Sequence, residues 1–249
     1  MVATTFLTFF VVRFNWRYHL LLCILATGFF AVVDLSFFSA SLVKIPDGGW
    51  FPLLSGLGVY LLLITWKQGR ILMHARQKET VLPLATFLEH LPTEDEAPRV
   101  RGTAVFLTAN PEGVPHAMLH NLKHNGVLHQ RIVIVTVEVL DVPRVRNAQR
   151  VVLEGLAHGF WRVRVYFGFM DDPDLPEALE WCAEQGLALD MMKTSFFLGR
   201  ETLIPKLGAR MPLWREKLFI AMFRNSGSAT SYFRLPPNRV VELGTQLEL

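Results

Sequence analysis

The chain has 249 residues, 51% of them hydrophobic, with 25 basic and 22 acidic side chains that leave a formal net charge of +3 and a pI near 9.0. So mild a positive excess carries no nucleic-acid signature, and two cysteines are too few for a disulfide framework or a zinc cluster. The mean hydropathy of +0.30 hides a sharp asymmetry: residues 1–66 hold only Arg13, Arg17, Asp34, Lys44 and Asp47, five of the 47 charged residues. An apolar N-terminal part therefore precedes a domain of ordinary charge density.

Met1 opens directly into an apolar run with Arg13 and Arg17 behind it, the reverse of the order in a secretory signal. About 12 residues give roughly 18 Å of helix, short of a hydrocarbon core of about 30 Å. Residues 1–13 are thus expected to be the remnant of a truncated membrane helix, ahead of the alternative of an interfacial helix. Tyr18 to Val43 then holds 26 residues with one charge, and Gly48 to Trp66 holds 19 with none. Both reach the length of a bilayer-spanning helix, which places membrane helices over 18–43 and 50–66 with an external loop at 44–49.

Arg13 and Arg17 precede the first span, while Lys67, Arg70, Arg76 and Lys78 follow the second. Two crossings put all six cations on one side, expected to be cytoplasmic. Trp16, Tyr18, Trp50 and Trp66 fall at the span ends, where amphipathic rings favour the headgroup zone. The topology predicted is a multi-pass protein of the inner membrane with lipid as its first partner and a cytoplasmic C-terminal domain. Cys23 in a span and Cys182 in that domain are not expected to form a disulfide.

Asp34 lies near the middle of its span, where an acidic side chain costs about 2.5–3.5 kcal/mol on insertion scales. Thr27 stands seven residues before it and Ser41 seven after, making a thin polar stripe that should face protein or water. Asp34 is a candidate for an ion or proton pathway, or a structural anchor bonded to a neighbouring helix. Either role is expected to require partner helices from outside the chain.

Residues 67–98 are expected to be a juxtamembrane helix and an acidic, proline-bearing linker, and residues 99–249 a cytoplasmic α/β domain with a mixed sheet. Gly102–Ala109 and Ile132–Val139 predict strands around a helix from Pro115 to Asn125 stopped by Gly126, a parallel pair with a crossover. Val151–Glu154 and Phe160–Phe167 predict an antiparallel hairpin, Asp174 caps a helix ending near Gly186, and Thr194–Leu198 is a strand. Leu213–Arg224 is a helix, used in core packing ahead of contact with the membrane face or a second subunit, and Arg239–Gly244 is a closing strand or extended tail.

His116, His120 and His124 recur on one helix face with Lys123 beside them, a spacing that could ligate metal but reads better as a polar face. Asp171, Asp172 and Asp174 precede a helix, where carboxylates complement the dipole, and Arg162 with Arg164 reads as a solvent-facing strand. No phosphate loop, nucleophile elbow or paired catalytic motif occurs. No catalytic residue, metal site or cofactor is expected, and the chain is not read as an enzyme.

Several blocks in order resemble the Kup-type (Kup/HAK/KT) potassium uptake family. They are Val33-Asp-Leu-Ser-Phe-Phe-Ser-Ala-Ser-Leu-Val-Lys-Ile, Gly48-Gly-Trp-Phe-Pro-Leu, Thr65-Trp-Lys, Gly102-Thr-Ala-Val-Phe-Leu-Thr, His120-Asn-Leu-Lys-His-Asn, Leu128-His-Gln-Arg, Thr194-Ser-Phe-Phe-Leu and the C-terminal Pro236-Pro-Asn-Arg-Val-Val-Glu-Leu-Gly. The resemblance implies potassium import by K+/H+ symport, with K+ and H+ as transported ions, and a homodimer for the complete protein. It covers only the family's C-terminal portion, so the missing transporter helices or a full-length subunit are expected partners and transport by this chain alone is not. Asp34 corresponds to an acidic membrane position, and His120, Lys123 and His124 fall in a motif without an assigned role. A membrane-anchored regulatory or ligand-binding module without transport is the alternative.

Overall fold

The computed structural model describes residues 1–79, 82–91, 97–205 and 211–248. The acidic core of the expected linker, residues 92–96, and the side chain of Lys78 lie outside them. The chain divides into two compact units, Met1–Ile64 and Thr65–Leu249.

The first unit is helical. Helix α1 (Val2–Phe10) runs on into a π-helical turn at Val11–Asn15, and α2 spans Leu20–Val43. Only Cys23 and Asp34 of α2 are buried, while Leu, Phe and Val side chains stand exposed around the rest of it. A helix apolar on all sides suits lipid, not water. The expected loop at 44–49 is a tight helix-like turn at Ile45–Gly49, broken where Gly48 takes a φ of 120°. Helix α3 (Trp50–Glu79) follows as 30 continuous residues, about 45 Å long and so longer than a hydrocarbon core of about 30 Å. Its C-terminal part, from Thr65, belongs to the second unit.

That unit is built on a six-stranded sheet. In chain order its elements are α4 (Leu84–Glu89), β1 (Arg99–Leu107), α5 (His116–Asn125), β2 (Leu128–Leu140), the single turn α6 (Asn147–Arg150), β3 (Val151–Gly155) and β4 (Phe160–Gly168). Then come α7 (Leu175–Glu180), β5 (Thr194–Ile204), α8 (Leu213–Arg224), the turn α9 (Ala229–Tyr232) and β6 (Val240–Glu248). The strand order is β3-β4-β2-β1-β5-β6. All neighbours are parallel except β3 and β4, which form the expected antiparallel hairpin. The sheet is therefore mixed, as the sequence predicts.

Alternation along the central strands sorts side chains into two cores. Val105, Val133, Val135, Val163, Val165, Phe196 and Leu198 pack on one face with α7 and Cys182. Ala104, Phe106, Ile132, Ile134, Phe160 and Phe197 pack on the other with Leu84 and Phe87 of α4 and Met118 of α5. Strands covered on both faces read as continuous apolar runs, which is why β1 and β2 are plain in the sequence. Helix α5 ends where Gly126 turns left-handed, at φ 63°. Helix α4 lies just before the acidic linker, within residues 67–98, where no second helix is expected; backbone bonds from Leu84 N–H to Glu112 O and Val114 N–H to Leu82 O tie it to the loop before α5.

Candidate functional site

The membrane unit holds one buried charge. Asp34 is 8% exposed, and the Thr5 hydroxyl of α1 donates to its Oδ2 at 2.5 Å. Val2, Thr5, Phe9, Val12 and Arg13 are the partly covered positions of α1 and its extension, the first four at a helical spacing that lays one stripe along α2. Cys23, Thr27, Gly28 and Ala31 line the matching stripe on α2 with Asp34. Asp34, expected to require partner helices from outside the chain, has one partner within it, the Thr5 hydroxyl of residues 1–13. Thr27 and Ser41 turn their hydroxyls back onto their own helix, to Cys23 O at 2.5 Å and Phe37 O at 2.8 Å. Thr27 is partly buried on the same stripe two turns before Asp34, whereas Ser41 is exposed. Sequence reasoning missed Thr5; its signal was a hydroxyl residue at helical spacing from Val2, Phe9 and Val12 in an otherwise apolar run.

In the second unit, α8 packs on the C-terminal part of α3. Phe219 is fully buried, its ring 5.6 Å from that of Trp66 and 6.0 Å from that of Phe223. A methyl group on Gly69 would lie 2.3 Å from the Phe219 ring, so the glycine is what lets the ring seat on the helix backbone. Met73 and Leu203 complete this cluster, and Arg215 Nε donates to the buried Thr65 hydroxyl at 3.1 Å. Beside it a cavity of about 690 Å³ is lined in part by Arg70, Arg200, Arg224 and Glu242, with Arg200 paired to Glu242 at 3.2 Å.

The other candidates resolve into local geometry. His120 and His124 bring their rings to 5.5 Å, with Lys123 exposed between them. Among the described residues no three His, Cys, Asp or Glu side chains converge as a metal ion would require. Burial lowers the pKa of nearby His129, whose ring meets Phe197 edge to face.

The three aspartates divide their work. Asp174 caps α7 by accepting Glu177 N–H at 3.0 Å, and Asp172 pairs with Arg234. Asp171 instead ties two loops, accepting Val145 N–H at 3.0 Å and Gly168 N–H at 2.8 Å, with Arg150 at 3.3 Å. Those backbone bonds, helped by Arg150, hold its carboxyl below the ordinary range. Arg162 and Arg164 do not simply face solvent. Glu112 pairs with both, at 3.5 and 2.9 Å, and Glu154 with Arg162 at 2.8 Å.

Comparison with known proteins agrees with this division. Residues 1–71 match the K+ potassium transporter integral membrane domain, and residues 101–249 match the K+ potassium transporter C-terminal domain. Over its whole length the chain is 57% identical to the probable potassium transport system protein Kup of Aromatoleum aromaticum and 54% identical to that of Azoarcus sp.. It is 51% identical to Kup 1 of Dechloromonas aromatica. It spans 39% of the length of each of these relatives. The chain belongs to the K+ potassium transporter family, joining membrane-domain sequence to the family's C-terminal domain.

Proposed function

We propose that the chain is the C-terminal part of a potassium uptake protein of the K+/H+ symport kind, a transport component and not an enzyme, with Asp34 on its ion pathway. The observation that carries this reading is a carboxylate buried in the middle of an apolar helix with a single neutral donor. An ionised carboxylate offers roughly four acceptor sites, so one hydroxyl leaves capacity for a passing cation or proton. Thr27 lies on the same covered stripe and belongs to that lining. Relatives named as potassium transport proteins supply the ion. The cations before α2 and after the apolar part of α3 support an inner-membrane topology with the sheet domain in the cytoplasm, and the complete protein is proposed to be a homodimer.

Asp34→Asn, introduced at the matching position of a full-length relative, is expected to abolish rescue of a potassium-uptake mutant at limiting potassium. Undiminished uptake with normal membrane expression makes Asp34 a structural anchor instead. The cavity lined by Arg70, Arg200 and Arg224 favours a second reading, in which the sheet domain is a regulatory or ligand-binding module. Uptake that survives deletion of that domain but loses its response to potassium supply supports this second reading.

A further inference from the structure

Helix α8 runs in step with α3. Arg215 reaches Thr65, Phe219 lies one turn on against Trp66 and Gly69, and Ile220 with Phe223 joins the cluster around Met73. Both helices therefore advance in the same direction, and the first turn of α8 stands level with Thr65. That level is where the apolar part of α3 ends, with Lys67 its first cation, so it marks the headgroup zone of the bilayer.

The first turn is dressed for that zone. Leu213 is 41% and Trp214 57% exposed, and Lys217 one turn later is exposed too, while Glu216 and Phe219 point into the protein. Tryptophan rings partition to the boundary between chains and headgroups, and a lysine stem lies along apolar surface while its ammonium reaches outward. In water, an exposed Leu-Trp pair at a helix start is an unmatched apolar surface; at the level of Thr65 the bilayer itself matches it.

We propose that Leu213 and Trp214, backed by Lys217, seat in the phospholipid surface beside the exit of α3 and moor the sheet domain there at a second point. This rests on the reading of α2 and α3 as membrane helices. The test places the full chain at one copy per nanodisc and takes the emission lost in Trp214→Phe as that of Trp214. Bromine on the upper acyl chains is expected to extinguish this emission, and aqueous iodide to leave it. Leu213→Asp, which does not touch the Phe219 contact, should open Trp214 to iodide.

Emission from Trp214 that ignores bromine and yields to iodide overturns the proposal. If the remaining tryptophans are still quenched by bromine, the membrane helices stand and only the mooring fails; if they are not, both fall together. Protection that appears only with several copies per disc assigns the surface to a second chain and likewise overturns the mooring.

Discussion

At the scale of single residues, two carboxylates show how different supports fit different tasks. Asp171 accepts two backbone N–H groups and faces Arg150, which fixes it as an anion that holds loops together. Asp34 has one hydroxyl, a thin support suited to a group that exchanges partners. Asp171→Ala leaves the Val145 and Gly168 N–H groups unsatisfied and is expected to cost about 1–3 kcal/mol, read as a lower melting temperature of the chain in detergent. The sign with pH follows from the lowered folded-state pKa. The gap between wild type and variant should be complete above the ordinary value of 3.8 and close as pH falls through the lower folded-state value. A gap independent of pH down to acid unfolding contradicts this account.

Among the elements, the contact of α8 with α3 depends on a missing side chain. Gly69→Ala places a methyl group 2.3 Å from the Phe219 ring, so the ring must move or the helices part. Overpacking of this kind costs about 1–3 kcal/mol, and faster hydrogen exchange of the α8 amides is the expected sign. Phe219→Leu in the same chain should recover part of the loss by making room. Unchanged exchange in Gly69→Ala excludes the tight seat.

The sequence announced both helices, since each has a clear apolar pattern and α8 ends as expected at Arg224. It did not announce their contact, because Arg215 and Thr65 are 150 positions apart and nothing local marks one as the partner of the other. Buried strands were legible from β-branched runs such as Ile132–Val139. Helix α4 was not, because six residues behind Pro83 are too few to show a period, and the burial of Leu84 and Phe87 is decided by distant neighbours. Asp34 stood out by its cost in lipid. Thr5 did not, since a hydroxyl is tolerated in a membrane helix by bonding to the backbone of its own preceding turn.

For the molecule as a whole, a transport site at the midplane of a membrane is enclosed by several helices from related repeats. The spanning helices α2 and α3, even with α1 beside Asp34, do not enclose one. Expressed alone, the 249 residues are expected to enter the membrane and fail to rescue a potassium-uptake mutant, whereas a full-length relative rescues it. Rescue by this chain alone contradicts the proposed division of labour.

The whole molecule also keeps its thiols hidden. Cys23 and Cys182 are each 0% exposed, and burial pushes the Cys182 thiol up to about 11, so that roughly one such group in ten thousand is thiolate at neutral pH. Maleimides and other electrophiles should pass the native chain by. A cysteine introduced by design in either flank of α2 or α3 then becomes the sole reactive handle, and its modification from one side of a sealed vesicle reports sidedness without first stripping the natural sequence of its own thiols.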